Sequence, residues 1–122
     1  MAAEKNFENR VKKFLKEKHC WVLKYWGGAA YTKSGIPDLL VCCCGQFIGI
    51  ELKAETGRPS ELQLYQLKQI EAAGGFGVLL YPKDYELFKQ FIERIQSCKG
   101  INYNDYPFLY EWDHIKNKEK EN

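Results

Sequence analysis

The 122-residue sequence contains no Cys-x-x-Cys pair, only two histidines, and cysteines in the odd number of five. A disulfide scaffold is therefore not expected. A zinc site would have to combine Cys42 and Cys44 with a distant His19 or His114. No apolar run approaches the roughly 20 residues that cross a bilayer, and no signal peptide is evident, so a cytosolic protein is expected. There is no internal repeat and no interdomain linker, and the length suits one domain. Strong basicity is missing too, because the net charge is only +2. Its distribution is uneven: residues 1–33 hold eight Lys/Arg against three Glu, and residues 34–122 hold ten against thirteen acids. The amino-terminal third is therefore the candidate phosphate-facing surface. Gly28-x-x-x-x-Lys33-Ser34 imitates a phosphate-binding loop, but Thr32 stands where glycine is required and Pro37 opens a strand where a helix should follow. No nucleotide cofactor is expected.

What the chain does have is Pro37-Asp38, followed after a short gap by Glu51-Leu52-Lys53. Residues 38–43 form an apolar run, Cys44-Gly45-Gln46 is a turn signal, and residues 47–52 form a second run, which predicts a β-hairpin. Alternation puts Glu51 and Lys53 on one face and Leu52 on the other. Counting back through the turn brings Asp38 roughly opposite Glu51 to Lys53. Two carboxylates suit a hard cation such as Mg²⁺ or Mn²⁺, which takes few protein ligands beside water and phosphate. The Leu52 carbonyl is a possible third ligand, and Lys53 is placed to orient a water or meet charge on a phosphate. On the hairpin alone, the same alternation also describes a solvent face with Asp38 paired to Lys53.

Other segments add to this pair. Gly35 and Pro37 hold Asp38 at a rigid strand start. Ser60 and Gln63 read as the N-cap and N3 residues of a capping box, and capping alone would also explain them. Glu8 lies beside the helical stripe Phe7, Val11, Phe14 and Leu15, at the edge of the expected core. Arg10 and Lys13 lie on the polar side of that helix, and Lys24, Lys33 and Ser34 flank the glycine-rich loop before Asp38. Tyr31 and Lys33 in that loop are candidates to stack on, or grip, a displaced strand.

The order Glu8, Gly35-x-Pro37-Asp38, Glu51-x-Lys53, Ser60-x-x-Gln63 and Ala72-Ala73-Gly74-Gly75 resembles a stand-alone VRR-NUC domain of the PD-(D/E)XK nuclease superfamily, over roughly residues 4–97. The resemblance implies a restriction-endonuclease-like α/β core, Asp38 and Glu51 as metal-binding acids, and Lys53 as the catalytic lysine. It also implies site roles for Glu8 and Gln63. It further implies a Mg²⁺- or Mn²⁺-dependent endonuclease acting on branched DNA, resembling Holliday junction resolvases and working as a homodimer. The small size suggests the type found in bacteria or in virus-infected host cells. A non-cleaving module that binds DNA structure and a restriction-like duplex endonuclease are the alternatives.

The remaining elements read as an αβββαβα order with a mixed sheet. Strands are expected at 19–25 and 76–81, and helices at 60–73 and 84–97. Residues 1–99 are expected to form the nuclease domain, and 100–122 an aromatic extension ending in a polar tail. Tyr103, Tyr106, Phe108, Tyr110 and Trp112 are expected to fold back on the core, with a dimer contact as second choice. The strand cysteines, Cys42 to Cys44, are expected to be small buried hydrophobes.

Overall fold

The computed structural model describes residues 2–27 and 34–113. Strands β1 (Trp21–Lys24), β2 (Leu39–Cys43), β3 (Gln46–Leu52) and β4 (Phe76–Leu80) form one sheet in that order. The first three are antiparallel, and β4 runs parallel to β3. A parallel pair needs a long crossover, and α2 (Glu61–Ala72) supplies it. With α1 (Ala2–Glu17) and α3 (Tyr85–Gln96), the expected αβββαβα order is the order found. The architecture is a restriction-endonuclease-like α/β fold.

Alternation along the strands sorts the core into two layers. Leu39, Val41, Ile48, Ile50, Leu52, Val78 and Leu80 face α1 and α3, where they meet Phe7, Val11, Leu15, Phe88, Phe91 and Ile92. Fully burying such a side chain contributes about 1.5–3 kcal/mol, so this layer dominates stability. The opposite face carries Gly49, Glu51, Gly77 and Leu79 and is covered by Leu64 and Leu67 of α2. There the backbones nearly touch: a Cβ on Gly77 would come 2.7 Å from the Leu67 carbonyl oxygen. Only glycine lets α2 settle that low.

Helix ends explain one departure from the sequence expectation. Residues His19 and Cys20 were expected to begin β1 but instead close α1. His19 takes φ 63°. Its N–H donates to Lys16 O and that of Cys20 to Leu15 O, both at 3.0 Å. These two bonds are a Schellman closure, which uses up the residues before the strand can begin.

The cysteine run also departs from expectation. Cys43 is buried, whereas Cys42 and Cys44 are exposed, and all five cysteines are free. Alternation turns Cys42 to the other face of the sheet. Cys44 and Gly45 form the hairpin turn, with φ of 50° and 81°. Two positive φ values match the I′ turn that suits strand twist.

Most of the aromatic segment folds back on the core, although Tyr103 stays 39 % exposed. Tyr106, Phe108 and Leu109 join the α1/α3 layer, while Trp112 joins Leu64, Leu67 and Leu79 on the other face. The segment thus passes around the outer edge of β4. There the Trp112 indole N–H donates to Gly77 O at 3.1 Å. Among the described residues, no helix is long and apolar enough to cross a membrane.

Candidate metal centre

The strand register places the acids. Leu39 pairs with Ile50, and the Tyr25 N–H donates to Asp38 O at 2.9 Å. Tyr25, Asp38 and Glu51 therefore stand in one cross-strand row. Asp38 sits just before β2 begins, and its Oδ2 accepts the Leu52 N–H at 2.9 Å. That bond fixes the carboxylate against β3. A strand residue's N–H and C=O point to the same side, so the Leu52 carbonyl is aimed along the same edge.

Gly35 holds the approach to this acid. Its φ is 80°, and a Cβ there would lie 2.5 Å from the Leu62 carbonyl oxygen. The segment leading to Asp38 therefore rests on the first turn of α2. The same turn supplies Gln63. Ser60 Oγ accepts the Gln63 N–H at 3.2 Å, and Gln63 Oε1 accepts the Ser60 N–H at 2.8 Å. This is the expected capping box. With its oxygen used in the cap, Gln63 directs its Nε2 to Glu51 Oε2 at 2.9 Å.

Glu51 is 2 % exposed. Lys53 Nζ lies 3.6 Å from its Oε2, whereas Oε1 is buried with no hydrogen-bond partner. Burial, then the neighbouring charge of Asp38, push its pKa up to about 8, against the opposing pull of Lys53. A buried acid facing another acid, with one oxygen unpartnered, is not fully compensated by the single Lys53 ammonium and leaves room for a further positive charge. The available donors are all oxygen, so a hard divalent cation fits. Among the described residues no group of three or more His, Cys, Asp or Glu could hold a metal. A site with two carboxylates matches Mg²⁺, which fills its remaining positions with water and phosphate.

Glu8 is also buried, at 5 % exposure. Lys24 Nζ lies 2.7 Å from Glu8 Oε1 and 3.5 Å from Asp38 Oδ1. Lys5 and Lys12 each lie 3.3 Å from Glu8 Oε2. Burial would raise the Glu8 pKa, but the lysines, led by Lys24, outweigh it and hold it low. Lys24 is itself held above its ordinary pKa: burial works against its charge, and Glu8 and Asp38 overcome that. Glu8 therefore meets the acid pair through an ammonium, at one remove.

Among solved structures, the chain is similar to a VRR_NUC domain. The identity is 28 %, over 73 % of this chain and 94 % of that one, with a TM-score of 0.49. It is also similar to Hjc of Archaeoglobus fulgidus, a Holliday junction resolvase from an archaeal hyperthermophile. That identity is 19 %, over 64 % of this chain and 69 % of that one, with a TM-score of 0.47. No family model and no curated protein matches the chain.

The fold brings Asp38, Glu51, Leu52, Lys53, Gln63 and Lys24 together, with Glu8 behind Lys24. Ser34 is exposed in the turn that leads to Asp38. Arg10 and Lys13 do not join them. At 100° per residue both turn well away from Glu8 on α1. The Arg10 guanidinium lies 4.7 Å from the centre of the Tyr85 ring, and Lys13 lines a shallow groove with Asn9, Lys16 and Glu17. Tyr31, Lys33 and His114 lie outside the described residues. Sequence reasoning passed over Lys5, Tyr25 and Trp26. The helical spacing of Lys5 to Glu8 was the available signal for the first. For the other two, the signal was the register of β1 on β2.

Proposed function

We propose that this chain is a Mg²⁺- or Mn²⁺-dependent endonuclease that hydrolyses phosphodiester bonds in branched DNA, such as four-way junctions. The observation that carries this reading is the buried Glu51 beside the half-buried Asp38, with an unpartnered Glu51 oxygen and the Lys53 ammonium at 3.6 Å. The VRR-NUC resemblance of the motifs supports the choice of DNA, and the Holliday junction activity named for Hjc supports the branched form.

Asp38 and Glu51 would hold the cation, with the Leu52 carbonyl as a further ligand. When bound, the cation supplies Lewis-acid polarisation of a phosphoryl oxygen and a more acidic water. Gln63 fixes the Glu51 oxygen that faces Lys53. The Lys53 ammonium is placed to orient the attacking water and to meet the charge that grows on the phosphoryl oxygens. Water adds to phosphorus, the P–O bond to one sugar breaks, and a phosphate and a hydroxyl end remain. Lys24 and Ser34 face the adjoining phosphates. Residues 1–99 carry the nuclease unit, and residues 100–122 are its extension. Paired cuts in a symmetric junction need two sites, so the working form is a homodimer.

The test is cleavage of an end-labelled four-way junction beside linear duplex, flap and single strand. Each is incubated with Mg²⁺, Mn²⁺ or EDTA, using wild type and Lys53→Ala. Symmetric, metal-dependent junction cuts that vanish in Lys53→Ala are the expected result. Tight junction binding with no cleavage by either protein would make the chain a binding module instead.

A further inference from the structure

Trp26 is 71 % exposed, the most exposed large apolar side chain among the described residues. A tryptophan usually gains most by burial, so an indole left in water next to a reactive centre calls for a partner. Its position is set by the sheet: it follows Tyr25, whose N–H bonds Asp38 O, so it stands one residue from the row that carries the two acids. Lys5 Nζ and Lys24 Nζ lie 5.6 and 5.4 Å from its ring centre. Both ammoniums are anchored by the buried Glu8 carboxylate, at 3.3 and 2.7 Å. An exposed indole and two ammoniums held over its ring therefore occupy one place.

A ligand matching that combination is flat, aromatic and anionic. A nucleotide has all three properties, but a base inside a duplex has both faces covered by its neighbours. We propose that Trp26 is a stacking platform for an unpaired nucleobase beside the scissile phosphate, with Lys5 and Lys24 meeting its flanking phosphates. This rests on the nuclease reading above and specifies its substrate: next to the cut the DNA presents a nucleotide that is unpaired or that opens from its stack at the branch point. Stacking should accept any base, because every base has a π face.

The experiment is a binding titration in EDTA, so that nothing is cut. The probes are a duplex with a single-stranded arm, carrying 2-aminopurine at successive positions around the branch, and a fully paired duplex of the same length. Wild type, Trp26→Ala, Trp26→Phe and Trp21→Ala are compared, and thermal melts confirm that each is folded. Trp21 is the control, being 58 % exposed at the far end of β1 opposite Cys42. One 2-aminopurine position should be quenched by wild type and Trp26→Phe but not by Trp26→Ala. Affinity for the armed duplex should fall on the order of ten-fold in Trp26→Ala, while paired-duplex binding and Trp21→Ala stay within about two-fold of wild type. Equal losses on both DNAs, or none on either, would overturn the platform while leaving the nuclease reading intact. Failure of wild type to bind either DNA would overturn both.

Discussion

Gln63 joins the start of α2 to the buried acid Glu51: its amide nitrogen lies 2.9 Å from Glu51 Oε2 while its oxygen accepts the Ser60 N–H at 2.8 Å. One side chain thus caps a helix and orients a candidate metal ligand. Two substitutions separate these duties. Gln63→Ala removes both and should cost about 1 kcal/mol of stability through the cap. Gln63→Glu keeps an oxygen for Ser60 but places a carboxylate against Glu51. Both should lower cleavage by roughly 10- to 100-fold, as loss of a ligand's outer partner does. Denaturant melts and cleavage rates, measured together, check this. Full activity in Gln63→Glu would remove Gln63 from the site.

Asp38→Asn and Glu51→Gln should abolish cleavage and weaken Mn²⁺ binding in a calorimetric titration. Lys53→Ala should bind Mn²⁺ as wild type does and yet lose turnover on the order of 100-fold or more. Cleavage by purified Asp38→Asn would end the metal assignment.

The Glu51 pKa, raised from 4.5 to about 8 by burial and by Asp38, sets the sign of a pH effect. Between those values the folded, metal-free protein holds a proton that the unfolded chain has released. The Glu51 contribution to stability is therefore full below about pH 4.5 and declines as pH rises toward 8. Thermal melts in EDTA should show wild type losing several degrees relative to Glu51→Gln between pH 5.5 and 8.5. Mn²⁺ should restore more of that loss at the alkaline end. Parallel curves for the two proteins would contradict the raised pKa.

The site's local parts were legible and its long-range parts were not. Hairpin, turn and capping box each lie within a few residues of chain, so periodicity and turn chemistry revealed them. Counting through Cys44 and Gly45 put Asp38 roughly opposite Glu51 to Lys53, and the register narrows this to Glu51. Glu8 was seen as an acid near the core edge, but its lysine partners were not: Lys24 reaches it only once β1 has docked beside α1. The burial of Cys42 and Cys44 was misjudged for a similar reason. Which face α2 covers, and how far, is decided by helix packing on Gly77, which leaves no local mark. The turn residue was also treated as part of the strand.

Arg10 and Lys24 should behave differently although both are basic. Arg10 stacks on Tyr85, so Arg10→Ala should lower the melting temperature and leave the salt dependence of DNA binding unchanged. Lys24→Ala should lower the slope of log affinity against log salt by about 0.9, as expected for one lost phosphate contact. Identical slopes for Lys24→Ala and wild type would place Lys24 off the DNA.

Trp112 is 1 % exposed and packs on Leu64, Leu67 and Leu79. Trp112→Ala should cost about 3–5 kcal/mol, and Trp112→Phe less, since it keeps most of the volume and loses the bond to Gly77. Chemical denaturation checks the order. Because α2 rests on the same cluster, cleavage should fall in Trp112→Ala even at temperatures where it remains folded.

Trp112 has a second consequence, which concerns assembly. An outer strand ordinarily offers its backbone to any extended chain that drifts past, and here the indole occupies the Gly77 carbonyl on the outer side of β4. Among the described residues, the sheet is thus guarded by the Trp112 segment at one border, whereas at the other β1 pairs with β2 alone. Growth by strand addition, whether useful pairing or aggregation, is steered to the β1 border, which is also the border nearest Lys24 and Trp26. Removing the tail would make the protein two-sided, and a chain that can pair on both sides can form fibrils.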